Sequence, residues 1–187
     1  MKRYINPNRL LVAAIVAAAA ASSAAPVAQA GPPEPAVPPA IAVPDGHKLF
    51  LIGHAVGVQI HLCNATPSGY RWDFVAPRAD LYNDHGKLIS THFGGPTWQA
   101  QDGSKVVAGR VDGVTVDASA IDWLLLSAAS TAAGPDGDRL VGTTFIQRIN
   151  TTGGLAPAAA ACNAATAGTK AEVPYTADYY FWKATRE

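Results

Sequence analysis

The chain has 187 residues, 14 Lys and Arg against 14 Asp and Glu, 49% apolar residues and only two cysteines, Cys63 and Cys162. Lys2, Arg3 and Arg9 precede an uncharged, Ala-rich run at 10–21 and small residues ending Ala28-Gln29-Ala30, the order of a secretory signal peptide (1–30) cleaved after Ala30. Cleavage leaves 11 basic against 14 acidic residues, a formal charge of −3. That balance excludes nucleic acid as a partner; the apolar run at 10–21 is too short for the ~20 residues of a membrane span, and no later segment supplies that length without charge or Pro. A secreted or periplasmic chain with no membrane span after signal cleavage is expected.

Residues 31–42 hold Pro32, Pro33, Pro35, Pro38 and Pro39, which favours an extended, disordered leader; one β domain is expected over 43–187. Residues 48–54 and 58–63 are short runs punctuated by Gly53 and Gly57, and read as two paired strands. In the second, Val58, Ile60 and Leu62 share one face, and Gln59, His61 and Cys63 the other. Tyr70, Trp72 and Phe74 alternate with Arg71 and Asp73, a half-buried strand with an aromatic inner face that Pro77 ends. Asn83-Asp84-His85-Gly86 is a turn into an extended run at 88–93. Runs at 97–101 and 105–110 flank Asp102-Gly103-Ser104 like hairpin arms. Trp123-Leu124-Leu125-Leu126, apolar on both faces, reads as a central strand or, alternatively, a buried helical turn.

Further on, Thr144, Ile146 and Arg148 alternate with Phe145, Gln147 and Ile149. Tyr175, Ala177, Tyr179 and Phe181 then alternate with Thr176, Asp178, Tyr180 and Trp182. With no convincing amphipathic helix and turn signals every 8–12 residues or so, the class is all-β: an antiparallel β-sandwich or small β-barrel with long loops. In an exported chain the lone cysteine pair reads as one disulfide, Cys63 with Cys162, holding down the Gly- and Ala-rich 152–169 segment. A redox or metal-binding pair is the competing reading, without C-x-x-C spacing to favour it.

Residues 91–104 pack the most chemical variety into one segment: His92, Trp98, Asp102 and three glycines. One reading makes them the rim of a site for an extracellular small molecule or saccharide, with His92, Trp98, Asp102 and His61 as ligand-binding candidates. Another is a hydrolase in which His92 is the general base and Asp102 its orienting carboxylate. A third is a structural envelope protein with no site.

Blander roles compete for the same residues. Asp-Gly-Ser is ordinary turn chemistry in which Asp102 bonds its own backbone, and Trp98 suits a core plug better than an exposed platform. Arg148 and Asp73 are expected to pair across the sheet. The five histidines recur at intervals that match no zinc pattern, and no phosphate loop, dinucleotide fingerprint or nucleophile elbow is present, so no metal, cofactor or catalytic motif is assigned.

An ordered set of motifs then carries a family resemblance. It comprises Gly57-Val58-Gln59-Ile60-His61-Leu62-Cys63, Trp72-Asp73-Phe74, His92 with Gly95-Pro96-Thr97-Trp98, Trp123-Leu124-Leu125-Leu126, Ile146-Gln147-Arg148-Ile149-Asn150-Thr151 and Ala177-Asp178-Tyr179-Tyr180-Phe181. Spread over about 43–181, these resemble the secreted bacterial and fungal proteins of the domain-of-unknown-function family DUF3455. The resemblance includes both cysteines, which supports their pairing, and implies no established activity. Some fungal members carry a malate dehydrogenase label. With no dinucleotide fingerprint or βαβ rhythm in this chain, a nicotinamide-dependent dehydrogenase is not expected.

Overall fold

The computed structural model describes Met1 and residues 32–185, so the signal-peptide reading lies outside the described residues. Eight strands follow one another: β1 (His47–Thr66), β2 (Gly69–Tyr82), β3 (Leu88–Phe93), β4 (Thr97–Ala100), β5 (Lys105–Val114), β6 (Trp123–Ala132), β7 (Thr143–Gly153) and β8 (Lys170–Ala184). Each pairs antiparallel with the next, and β8 returns to pair with β1, from His47 opposite Ala184 to Leu62 opposite Lys170. The sheet therefore closes on itself as an up-and-down barrel, which removes the edge strands that a sandwich would leave. Among the described residues no helix is long and apolar enough to cross a membrane.

The two strands expected at 48–54 and 58–63 are one continuous strand. Gly53 and Gly57 do not break it; they let β2 come close. A Cβ on Gly57 would sit 2.2 Å from the Arg78 carbonyl oxygen, and one on Gly53 would sit 2.9 Å from Leu81 Cδ2. Pro77 likewise lies within β2, opposite Gln59, although it was expected to end the strand. β3 pairs with β2 only from Ala79 onward, so Pro77 stands where β2 has a single neighbour and its missing N–H interrupts no second ladder.

Because β1 and β2 outrun β3, their joined ends project as an arm beyond it. This overturns the aromatic inner face: Tyr70 is 42% and Phe74 57% exposed, and Trp72 donates from Nε1 to the Ala158 carbonyl. Strand alternation alone could not reveal that no further strand covers this arm.

Elsewhere the alternation holds. Leu51, Ala55, Leu81, Trp98, Val106, Leu126, Ile146, Tyr179 and Phe181 belong to one buried cluster inside the barrel. A second cluster lies on its outer surface, where Ile41 packs with Leu125 and Ile149 and against Val37, Val43 and Trp123. Trp123-Leu124-Leu125-Leu126 is thus apolar on both faces for a clear reason. Its inner face fills the barrel, and its outer face is covered by the end of the Pro-rich leader. That end is not the disordered tether expected from its prolines: Ile41 is fully buried, and Gln147 Nε2 donates to its carbonyl oxygen at 2.7 Å.

The two ends of the barrel differ. At one end the loop between β6 and β7 folds under the strands and buries Leu140 completely. Asp102 holds it there, accepting from the Arg139 N–H at 2.9 Å through one carboxylate oxygen. Ser104 Oγ accepts from the Leu140 N–H at 3.1 Å. At the other end, Cys63 and Cys162 form a disulfide with Cα atoms 5.3 Å apart, which ties the long β7–β8 connection to β1. The Gly168 N–H donates to the Cys63 carbonyl, and the Cys63 N–H to that of Thr169.

Candidate functional site: a cavity in the barrel mouth

Two adjoining cavities open at the end opposite the Leu140 plug. The deeper, of about 210 Å³, is lined in part by Gln59, His92, Pro96, Trp98, Leu126 and Tyr179. The outer, of about 380 Å³, reaches His61, Ile121 and Leu155. Gln59, Phe74, Arg110, Leu124 and Arg148 line both, so the two form one continuous mouth.

Strand parity places these groups. Gln59 and His61 occupy the inward face of β1, only 2% and 6% exposed, while apolar Val56 on the opposite face is 59% exposed. Arg148 follows Ile146 on the inward face of β7, and Arg110 follows Ala108 on that of β5. The arm of β1 and β2 carries Phe74 over the opening, edge-on to the His61 ring at 5.8 Å.

The polar atoms of the mouth are unusually poorly satisfied. Among the described residues, the buried side-chain nitrogens that lack a hydrogen-bond partner are Gln59 Nε2, His61 Nδ1 and Trp98 Nε1. All three belong to residues lining these cavities. An unpaired buried polar atom costs about 1–3 kcal/mol, which makes three of them on residues of one mouth the feature of this end to account for.

The other hydrogen bonds fix the histidine tautomers. His61 Nε2 donates to the Gly154 carbonyl at 3.2 Å, and its Nδ1 is left without a partner. His92 Nδ1 donates to the Thr97 carbonyl at 2.9 Å. The His92 ring is stacked on Trp98 with centroids 4.0 Å apart, and burial drives its pKa down to about 3, the nearby Arg148 cation adding to the effect. It is a neutral imidazole at ordinary pH. Burial also raises the Tyr175 and Tyr179 hydroxyls, which lie 3.3 Å apart.

The residues singled out from sequence divide between the two ends. His92, Trp98 and His61 meet at the mouth. Asp102 does not: its Oδ1 accepts from the Ser104 N–H at 2.9 Å and Oγ at 2.6 Å, in the turn at the plugged end. His92 pairs with Trp98 at the start of β4, whereas Asp102 lies past the end of that strand, in the turn closed by the Gly103 N–H to the Ala100 carbonyl. A general base oriented by Asp102 is therefore not assembled, and Asp-Gly-Ser is turn chemistry. Trp98, 1% exposed, is packed inside and is not an exposed platform.

The expected Arg148–Asp73 pair is also absent. Asp73 accepts from Arg71 at 2.8 Å and Asn64 at 2.7 Å, while Arg148 donates through Nε and Nη2 to the Asp122 carbonyl at 3.1 and 2.9 Å. Arg110, Arg148 and Gln59 are the mouth residues that sequence reading missed as site groups. The signal was present: a cation and an amide falling at inward positions of alternating strands.

Of the remaining histidines, His54 lies on the outer face between Asp178 at 2.6 Å and Asp84 at 2.7 Å, and these bonds raise its pKa. No group of three His, Cys, Asp or Glu gathers as a metal site among the described residues.

A closed antiparallel β-barrel, plugged at one end and hollow at the other, is the class this architecture defines. The family model described as a protein of unknown function, DUF3455, matches residues 44–183, and the chain belongs to that family. No curated protein and no solved structure matches it.

Proposed function

We propose that this protein is an exported barrel that binds a small molecule in its mouth. The observation that carries the reading is that the three unpartnered buried nitrogens, on Gln59, His61 and Trp98, all belong to residues lining one hollow. Apolar walls with a few convergent polar groups are the usual make-up of a ligand pocket. That make-up favours a small, partly apolar molecule over a saccharide, and a formed cavity favours binding over a purely structural envelope role. A hydrolase built on His92 and Asp102 gains no support, because the two groups serve opposite ends of the barrel. Export rests on the N-terminal charge and apolar pattern together with the Cys63–Cys162 disulfide, which suits a periplasmic or extracellular setting.

Binding of the uncharged dye N-phenyl-naphthylamine, followed by its fluorescence, tests the reading. The wild type should bind it saturably. Leu124→Trp, which fills the hollow from a position lining both cavities, should abolish binding while circular dichroism stays barrel-like. Equal dye binding by the two proteins would place the dye elsewhere and defeat the proposal.

A further inference from the structure

The geometry points to an organic carboxylate as the ligand of this cavity, its anionic oxygens held by Arg148 and the Gln59 amide and its apolar body lying against Phe74 and Leu124. The inference rests on the proposed reading of the mouth as a ligand site, and it goes further by naming the chemistry.

The lining of the two cavities contains two guanidinium groups, Arg110 and Arg148, and no carboxylate. Asp122, beside both arginines, lies outside the lining. Its side chain sits 3.5 Å from Arg110 and accepts from Thr115 Oγ1 at 2.7 Å. Arg148 donates to the Asp122 backbone carbonyl, lies in hydrogen-bonding reach of the Tyr179 hydroxyl, and forms no ion pair among the described residues. One full cation therefore faces the hollow without a counter-charge. His92, held neutral by burial, adds nothing to it.

Gln59, 2% exposed, presents an amide NH2 with no acceptor, and Trp98, 1% exposed, an indole N–H with none. Buried unpaired donors beside an unpaired guanidinium describe a hole shaped for acceptor oxygens. A carboxylate supplies two of them and one negative charge, which matches one uncompensated arginine. A phosphate ester brings nearly two charges and three oxygens, and Arg110 is already shared with Asp122.

Size and polarity complete the case. About 210 Å³ in the inner cavity, walled by Leu126, Pro96 and Tyr179 beyond the polar groups, accommodates a compact ring or branched chain. Gly113 holds the cationic side of the entrance in place: a Cβ there would lie 2.5 Å from Arg110 Nη2 and 2.6 Å from Leu124 Cδ2.

The test is displacement of bound N-phenyl-naphthylamine by benzoate and by benzamide, two probes of one shape that differ in charge. Wild type should release the dye at a benzoate concentration at least tenfold below that needed for benzamide. Arg148→Met should erase that tenfold preference, each compound being read against the variant's own dye affinity. Gln59→Glu, which sets a carboxylate against the ligand and can itself pair with Arg148, should do the same, and it stands as the test should Arg148→Met not fold.

Equal displacement by the two compounds in wild type overturns the carboxylate assignment, and so does a preference that survives in the folded variants. In both cases retained dye binding leaves the ligand cavity itself standing. Failure of the wild type to bind the dye removes both.

Discussion

Replacing His92 by Phe turns a buried proton acceptor into an inert ring and should change how stability depends on pH. In the barrel the His92 pKa is about 3, against an ordinary value of 6.5. Between those values the unfolded chain binds a proton that the native chain refuses. Native stability from this residue is therefore complete above pH 6.5 and drains away as pH falls toward 3, at about 1.4 kcal/mol per pH unit. From pH 7 to pH 4.5 the loss comes to about 2.5 kcal/mol.

His92→Phe keeps a flat ring to stack on Trp98 but gives up the hydrogen bond to the Thr97 carbonyl, at a cost of about 1–2 kcal/mol. At pH 7 the variant should be the weaker protein. At pH 4.5 the two should be level, or the variant ahead, because carboxylates titrating in the same range cancel between them. Urea unfolding at the two pH values, compared as a difference of differences, measures this directly. A wild type-to-variant gap that changes by less than about 0.5 kcal/mol between pH 7 and pH 4.5 would refute a buried, neutral His92.

Three further outcomes are expected. Serine at both Cys63 and Cys162 should lower stability by up to about 4–5 kcal/mol, since the bridge closes a 99-residue separation, and limited proteolysis should then cut first within 154–169. Asp102→Ala should lower the melting temperature by several degrees by freeing the Leu140 plug, yet leave dye affinity at the mouth unchanged; lost dye binding with an unchanged melt would reverse that assignment. Gly57→Ala should cost about 3 kcal/mol or more in denaturant unfolding because β2 lies against it. Gly109→Ala, whose added Cβ meets nothing within 4 Å, serves as the neutral control.

Much of the barrel could be read from the chain because strand alternation is a local property. The inward set Tyr175, Ala177, Tyr179 and Phe181, the two-faced Trp123-Leu124-Leu125-Leu126 and the turn at Asp102-Gly103-Ser104 each follow from spacing and turn chemistry that neighbours in sequence impose. The cysteine pairing followed from counting in an expected oxidising compartment. Gly57 and Pro77 misled, because a glycine marking a close approach and one marking a turn look alike in sequence. What separates them is the residue across the sheet, Ala79 for Gly57.

The candidate site was half legible for the same reason. His92, Trp98 and His61 could be picked by residue type, and Arg148 could be placed on the face of Ile146 by parity. Which faces turn inward, and at which end each residue lies, depend on β8 closing against β1. That closure sends His92 to the mouth and Asp102 to the plug although only nine residues separate them in the chain, because β4 runs the height between them. Sequence by itself determined the disulfide and most of the strand alternation, since these rest on local periodicity and composition, but it divided β1 at its glycines, ended β2 at Pro77 and turned the Tyr70–Phe74 face inward. Tertiary structure alone decided that the polar faces of β1, β5 and β7 converge on one hollow, because convergence is a property of the closed ring of hydrogen bonds and of no single strand.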